Sequence, residues 1–266
     1  MPQQLKTILS IAGSDPTGGA GIQADIRAGN ALGLHVLTAI TSLTSQNSKG
    51  LKSNYIVPAK VLKQELKSIT EDVAPDAVKI GLVGSVENLI AIAEFLKTLQ
   101  KDTPVIIDPV LKITTQSEDQ SFKTAELREL YLKRLFPIAT VVTPNLEELD
   151  KLTGKKEITE TTLNDLQTQA AVIKGGHDSK IVIEDILLTP EKKVVETHGR
   201  INCRNLHGTG CVYSTFMTSF MALGLTLEES FRKTSQKIYD IITKSCDYKL
   251  GESSYGPLNI NENYII

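Results

Sequence analysis

Short apolar runs alternate with amphipathic stretches of helical length along most of this chain. The runs have the length of buried strands, and the stretches between them repeat apolar residues at the spacing of one helix face. The predicted strands span residues 7–13, 36–43, 77–83, 104–110, 140–143 and 170–174. The predicted helices span residues 19–32, 59–70, 86–99, 124–135, 146–152, 209–223 and 227–245. This alternation predicts an α/β fold with a mostly parallel sheet that is covered by helices on both faces.

The pattern changes after the sixth predicted strand. Residues 180–188 and 193–198 alternate apolar and polar positions, and only four residues separate them. Such a pair predicts an antiparallel hairpin at the edge of the sheet. No repeat, low-complexity tract or linker interrupts the chain, so we expect residues 1–266 to form a single domain.

Composition and charge exclude several classes of protein. A net charge of −2, without clusters of Lys or Arg, argues against binding to nucleic acid or to a membrane surface. No apolar run is long enough to span a membrane and no signal peptide precedes the first strand, so we expect a cytoplasmic location. The three cysteines, Cys203, Cys211 and Cys246, form no CxxC pair, which argues against a disulfide framework or a structural zinc site.

Glycines at alternate positions mark the start of the sixth predicted helix, in the sequence Leu206-His207-Gly208-Thr209-Gly210-Cys211. Glycine allows close approach of the backbone to a ligand, and the unpaired N–H groups of a helix start favour an oxyanion or a phosphate. Cys211 falls in the first turn, where we expect the helix terminus to lower the pKa of the thiol. An anion cradle beside an activating group predicts a phosphoryl-transfer enzyme.

Polar and small residues follow nearly every predicted parallel strand. Ligands of open α/β sheets bind beyond the carboxyl ends of the strands. These ends carry Gly13-Ser14-Asp15, Ser45-Gln46-Asn47, Lys79-Ile80-Gly81, Asp108-Pro109, Thr143-Pro144-Asn145 and Lys174-Gly175-Gly176. We therefore expect a ligand site along this edge of the sheet.

Three charged residues at these strand ends suit a phosphate and its metal ion. Asp108 and Glu148 could hold Mg²⁺ largely through water, and Lys174 could neutralise charge on a transferring phosphoryl group. Glu148 has an alternative role, because with Asn145 it matches a capping box at a helix start. Lys174 could instead extend into solvent, although the two glycines that follow it make this reading less favourable.

Two other nucleotide-binding patterns are absent or incomplete. Residues 19–24 match GxGxxG/A, but a dinucleotide site also needs an acidic residue about 20 positions further on. After Asp25 the next acidic residue is Glu65, so binding of NAD by a dehydrogenase is disfavoured. The chain also contains no GxxxxGK[ST] motif of a P-loop nucleotidase. Asp25 and Gln46 are left as candidates for contacts with a small molecule, since the amide of Gln46 suits the edge of a heteroaromatic ring.

With these residues the chain resembles the hydroxymethylpyrimidine/phosphomethylpyrimidine kinases of thiamine biosynthesis, within the ribokinase-like superfamily. The motifs occur in the family's order over nearly the full chain. They are IAGSDPTGGAGIQAD (11–25), TSQN (44–47), KIGLVG (79–84), IIDPV (106–110), VVTPNLEE (141–148), IKGGH (173–177) and HGTGC (207–211). The resemblance implies a three-layer α/β/α kinase domain that uses ATP and Mg²⁺, and a homodimer.

The resemblance also implies a role for each site residue. Cys211 is expected to activate the acceptor hydroxymethyl group, with the amides of residues 208–211 holding the phosphoryl oxygens. The remaining expectations are Gly208 and Gly210 in the catalytic cradle, Lys174, Thr209 and Lys237 at the nucleotide, Asp108 and Glu148 near the metal, and Gly13, Asp25 and Gln46 in the pyrimidine pocket. The chain departs from the family in Leu111, in residues 112–121, which lack the usual Lys-Ser-Gly loop, and in a shortened segment before Ala170.

Two alternatives stay open beside this reading. A pyridoxal kinase would share the mechanism, but Gln46 favours the ring-nitrogen and amine edge of an aminopyrimidine, which pyridoxal lacks. A non-catalytic protein that binds a vitamin precursor could share the scaffold, because a fold does not establish a function. The presence of Asp108, Glu148, Lys174 and Cys211 argues against that second alternative.

Overall fold

The computed structural model describes residues 5–111, 125–176, 181–246, 250 and 256–260. Nine strands form one sheet in the order β3-β2-β1-β4-β5-β6-β7-β8-β9. The strands are β1 (Thr7–Ser14), β2 (His35–Asn47), β3 (Gly50–Ile56), β4 (Ala77–Ile80), β5 (Val105–Ile107), β6 (Val141–Val142), β7 (Ala171–Ile173), β8 (Val182–Leu188) and β9 (Lys193–Gly199). The six strands from β2 to β7 in this order pair in parallel. The predicted α/β fold with a mostly parallel sheet is confirmed.

Antiparallel pairs lie at both edges of the sheet. The predicted hairpin is present as β8 and β9. At the other edge β2 continues to Asn47 and pairs with β3, a strand that the sequence pattern did not predict. Its residues are only partly buried or exposed, so its alternation of apolar and polar side chains is weak. Pairing with β2 supplies the order that the local sequence lacks.

Eight α-helices lie in the described part of the chain. They are α1 (Gly21–Ala31), α2 (Ala59–Thr70), α3 (Val86–Leu96), α4 (Ala125–Leu130), α5 (Leu146–Thr153), α6 (Thr162–Leu166), α7 (Thr209–Ala222) and α8 (Leu227–Ser245). The predicted helix at residues 124–135 is less regular than expected, because α4 continues as a π-helical turn over Tyr131–Leu135 and a 3₁₀ turn over Phe136–Ile138. The short α6 accords with the shortened segment before Ala170.

Two hydrophobic cores hold the helices on opposite faces of the sheet. Ile107 and Ile173 face a core formed with α2 to α6, whereas Ile106 and Val172 face a core formed with α1, α7 and α8. Because successive side chains of a strand point to opposite faces, continuous apolar runs fill both cores. The result is a three-layer α/β/α arrangement.

Within the described residues, no helix combines the length and apolar character needed to cross a membrane.

Candidate active site

The glycine-rich sequence before α7 forms a turn against the first strand-to-helix loop. Gly208 caps α7 in the left-handed region with φ of +81°, and a Cβ at this position would collide with the carbonyl oxygen of Gly19. Only glycine fits both constraints. The helix has no side-chain cap, so its first turn keeps the character of an anion site. In this structure Thr209 uses both its N–H and its hydroxyl on the carbonyl of Leu206, at 3.2 and 2.8 Å.

A buried ion pair lies beside this turn. Lys174 follows β7 and Asp108 follows β5, and Lys174 Nζ donates to Asp108 Oδ1 at 2.8 Å. Burial would lower the pKa of Lys174, but Asp108 and Glu148 hold it above the ordinary value. A Cβ built on Gly210 would lie 3.4 Å from Lys174 Nζ and 3.6 Å from Asp108 Oδ2. The structure therefore brings the predicted cradle, the predicted cation and one predicted metal carboxylate together.

Glu148 forms the capping box that the sequence suggested. Its backbone N–H donates to Asn145 Oδ1 at 2.8 Å, and its carboxylate accepts the N–H of Asn145 at 2.9 Å. Burial raises the pKa of Glu148 to about 7, and the carboxylate of Asp108 adds to this effect while Lys174 opposes it. Two carboxylates thus share one lysine, which leaves an excess of negative charge. Hard oxygen donors with excess negative charge fit a magnesium ion.

The prediction of a lowered thiol pKa at Cys211 is wrong. Burial raises the pKa of the Cys211 thiol to about 11, against the influence of the Lys79 cation. The carboxylates of Asp25 and Asp108 act in the same direction as burial, and a hydrogen bond from the N–H of Gly21 acts against them. Desolvation of the thiolate outweighs the favourable end of the helix. A thiol with this pKa is neutral at pH 7.

The three residues predicted for the pyrimidine pocket occupy different environments. Asp25 is fully buried and forms an ion pair with Lys79. Gly13, the next-to-last residue of β1, is closely packed, since a Cβ there would lie 2.8 Å from Ser42 Oγ and 3.0 Å from Leu82 Cδ2. Gln46 lies on β2, where the pairing with β3 shifts register between Ser45 and Gln46. Such a bulge redirects the side chains that follow it.

Asp15, which the sequence pattern did not single out, holds the first glycine-rich loop together through hydrogen bonds. Asp15 is buried, and its carboxylate accepts hydrogen bonds from the backbone of Thr17 and Ala20 and lies 2.8 Å from His207 Nε2. Burial opposes ionisation of Asp15, but the hydrogen bonds from His207 and Thr17 hold its pKa below the usual value. The signal available in the sequence was the position of Asp15 between Gly13 and the pair Gly18-Gly19. Its partner is 192 positions away, so the contact itself could not be read from the sequence.

Lys237, predicted at the nucleotide, lies on α8. Its ammonium stands 5.5 Å from the ring centroid of Phe216 on α7. Both helices cover the face of the sheet that also carries α1. Lys237 therefore lies in the same helical layer as α7, whose first turn forms the predicted cradle. Two features of the sequence lie outside the described residues. They are residues 112–121, where the chain departs from the family, and His177 of the sixth motif.

Comparison with known proteins identifies kinases of small heteroaromatic alcohols as relatives in sequence and in structure. The family described as phosphomethylpyrimidine kinase matches residues 15–259. A hydroxymethylpyrimidine/phosphomethylpyrimidine kinase of Streptomyces coelicolor is 32% identical over 243 residues, which cover 89% of this chain and 88% of that protein. Among solved structures, an ADP complex of Bacillus subtilis pyridoxal kinase has a TM-score of 0.84 at 28% identity, covering 96% of this chain and 97% of that one. A phosphomethylpyrimidine kinase from Clostridium difficile has a TM-score of 0.74 at 31% identity, covering 90% and 98%.

Proposed function

This chain belongs to the phosphomethylpyrimidine kinase family, and we propose that it uses ATP to phosphorylate 4-amino-5-hydroxymethyl-2-methylpyrimidine and then its monophosphate in thiamine biosynthesis. The observation that carries this proposal is the convergence at Gly210. Gly210 lies in the first turn of a helix without a side-chain cap. A Cβ on Gly210 would contact both the Lys174 ammonium and the Asp108 carboxylate. Phosphoryl transfer depends mainly on such positioning and charge neutralisation.

The residues of the chain divide the work of the transfer. The first-turn amides of α7 at Gly210 and Cys211 hold oxygens of the transferring group, and Lys174 neutralises the charge that develops on them. The acceptor hydroxyl oxygen forms the new bond to phosphorus while the bond from phosphorus to the oxygen of ADP breaks. Cys211 accepts the proton of the hydroxyl after its own thiol proton has passed to solvent. We propose that Thr209 and Lys237 contribute to nucleotide binding from α7 and α8.

Asp108 and Glu148 are the proposed metal-binding residues. When bound, Mg²⁺ neutralises the phosphate oxygens of ATP and orients them. Asp108 lies closest to the cradle, next to Lys174 and Gly210. Glu148 would hold the ion largely through water, because one oxygen of its carboxylate already accepts the N–H of Asn145 at the start of α5. Burial raises the pKa of Glu148 to about 7, and a bound cation would lower this pKa and so favour the ionised carboxylate.

The proposed pyrimidine pocket lies where β1 and β2 end. Gly13 lets the backbone of β1 pack closely against Ser42 and Leu82, and Gln46 follows the bulge of β2. The amide of Gln46 can match both the ring nitrogen and the exocyclic amine of an aminopyrimidine. Because the Asp25 carboxylate is fully buried and bound to protein donors, we propose that it supports this pocket from below.

Phosphorylation of pyridoxal is the second candidate function. The observation in its favour is the TM-score of 0.84 with the Bacillus subtilis pyridoxal kinase. The same cradle, lysine and metal carboxylates would serve either acceptor alcohol. The two functions therefore differ only in the ring that the pocket accepts, and a direct comparison of substrates separates them.

We also propose that residues 1–266 act as one kinase domain in a cytoplasmic homodimer. The single nine-stranded sheet supports one domain. The three free cysteines favour a reducing compartment. Leu43 and Tyr55, which pair across β2 and β3, are 49% and 63% exposed and offer an apolar surface to a second copy. Light scattering of the purified protein tests the dimer.

The decisive experiment measures conversion of ATP to ADP with Mg²⁺, with the aminopyrimidine alcohol or pyridoxal as acceptor and products resolved by mass. We expect the pyrimidine to be converted to a monophosphate and then to a diphosphate. Turnover of pyridoxal alone would support the second candidate. Tight binding of the pyrimidine without turnover would support a binding protein and overturn the kinase proposal.

A further inference from the structure

A lysine is completely buried beneath the start of α7. Lys79 lies on β4 with no exposed surface, and its Nζ is 3.0 Å from Asp25 Oδ1 and 2.9 Å from Oδ2. Asp25 on α1 is equally buried. Charged side chains are almost never fully buried without a partner, and removal of one partner leaves an uncompensated charge in the interior. This pair therefore joins β4 to α1 at a fixed distance.

Hydroxyl groups extend the pair to the proposed catalytic cysteine. Ser10 Oγ donates to Asp25 Oδ2 at 2.5 Å, and Thr215 Oγ1 lies 2.8 Å from Asp25 Oδ1. The same Thr215 hydroxyl lies 2.7 Å from the backbone carbonyl of Cys211. The first turn of α7 is thus tied to the Asp25 carboxylate, and through it to Lys79.

The chain also reserves space for the lysine. A Cβ on Gly81 would lie 2.8 Å from Lys79 Nζ and 3.0 Å from the Cβ of Ala12. Contacts this short would force either the Lys79 ammonium or β1, which carries Ala12, to move. The glycine two positions after Lys79 thus leaves the room in which the ammonium reaches Asp25.

We propose that Lys79 is a positioning residue of the phosphoryl-transfer site, whose buried ammonium fixes the Asp25 carboxylate against the first turn of α7, the turn that contains Cys211. The inference rests on the proposed function, in which Cys211 accepts the proton of the acceptor hydroxyl. Lys79 acts through its neighbours, because its ammonium binds Asp25, and Thr215 links the Asp25 carboxylate to the first turn of α7.

Four charged groups on four elements face the Cys211 thiol. Asp25 on α1 and Asp108 after β5 raise its pKa, whereas Lys79 on β4 lowers it. Lys174 after β7 also interacts with the thiol, and the interaction favours the charged forms of both groups. Substitutions of Lys79 and Asp25 break the same ion pair, yet they remove charges of opposite sign. Their effects on the thiol should therefore be opposite, whereas purely structural damage would change both variants in one direction.

The test is alkylation of Cys211 by iodoacetamide between pH 7.5 and 9.5, without nucleotide or acceptor, in a Cys203→Ser/Cys246→Ser background. Asp25→Asn should react about tenfold faster than the background protein at a given pH, because loss of the neighbouring negative charge lowers the thiol pKa and increases the fraction of thiolate. Lys79→Met should react more slowly than the background protein. Ser10→Ala removes a donor to Asp25 without a change in charge, and it should react at the background rate.

A double variant keeps the test decisive if Lys79→Met fails to fold. Lys79→Met/Asp25→Asn contains no unpaired buried charge, and its only difference from Asp25→Asn is the lysine. We expect the double variant to be alkylated about tenfold more slowly than Asp25→Asn. Equal rates in these two folded variants would overturn the proposal.

Turnover separates this inference from the proposed function. We expect kcat of the double variant to be at least tenfold lower than kcat of Asp25→Asn. KM for ATP should be the same in the two variants, because Lys79 does not touch the nucleotide site. Unchanged kcat with slower alkylation would also overturn the positioning role. Failure of the unsubstituted protein to phosphorylate any acceptor would overturn the proposed function alone, since the alkylation comparison requires no substrate.

Discussion

Gly210 places its α-carbon against Lys174, so that a methyl group at residue 210 would lie 3.4 Å from the lysine ammonium. The two residues come from different motifs, 36 positions apart along the chain. Their proximity turns a glycine-rich helix start and a strand-end lysine into one anion site. The ion pair of Lys174 with Asp108 then connects this site to the proposed metal carboxylates.

Substitution of Gly210 should reduce activity without loss of stability. Its φ is not positive, and the contacts of a new Cβ are within ordinary van der Waals range, so Gly210→Ala should change the free energy of unfolding by less than about 1 kcal/mol. The methyl group would displace the phosphoryl oxygens, and we expect kcat/KM for ATP to fall about 100-fold. Gly199→Ala, which adds a methyl group in open space, is the control and should keep full activity. Full activity of Gly210→Ala would remove the assignment of the cradle.

Substitution of Gly208 should instead affect folding. Gly208→Ala adds left-handed strain of about 1–2 kcal/mol and a collision with the carbonyl of Gly19. Gly154→Ala is a matched control, because φ there is +74° and a Cβ would meet nothing. Urea denaturation should show a larger loss of unfolding free energy for Gly208→Ala than for Gly154→Ala. Equal losses would mean that the loop of Gly19 adapts without cost.

Loss of the Lys174 charge should act on the transfer step. We expect Lys174→Gln to lower kcat about 100-fold or more, as for removal of one group that stabilises an oxyanion. Lys63→Gln removes an exposed lysine that pairs with Glu94, and it should leave kcat unchanged. Steady-state kinetics with saturating acceptor gives both values. A change in KM without a change in kcat would assign Lys174 to ground-state binding only.

The thiol of Cys211 should matter for the rate rather than for the fold. If it takes the proton of the acceptor, Cys211→Ala should lower kcat about 100-fold at saturating substrate. Cys246→Ala provides the control for loss of a partly buried thiol elsewhere. Retention of most of the turnover in Cys211→Ala would mean that solvent or the phosphate accepts the proton.

The carboxylate of Glu148 should make stability depend on pH. Its pKa in the folded protein, about 7, is above its ordinary value of 4.5, so the folded state binds more protons between these values. The unfolding free energy contributed by this group therefore falls as pH rises from 4.5 to 7. Glu148→Gln keeps an oxygen for the capping box and removes this titration. Denaturation at pH 5 and pH 7.5 should show the variant gaining stability relative to the unsubstituted protein at the higher pH, and a constant difference would contradict the raised pKa.

Much of the fold was predictable because its signals are local. The apolar runs of β1 and β5 to β7 are continuous, since both faces of a parallel sheet are buried, and this pattern identified them. The strand β3 was missed because its side chains are half exposed and its order comes from pairing with β2. The widened turn after α4 is set by packing of Tyr131 and Phe136, which periodicity alone does not report.

By itself the sequence determined which residues end strands and which glycines begin helices, because both depend on local backbone preferences. From these positions it identified Gly208, Gly210, Asp108 and Lys174 as candidates for one site. Only the tertiary structure decided the protonation of Cys211 and the partner of Asp25. Desolvation and the distances to Lys79 and Asp108 set the pKa of the thiol, and these depend on elements far apart in the chain. A helix start favours a thiolate wherever it occurs, but burial determines whether that preference prevails.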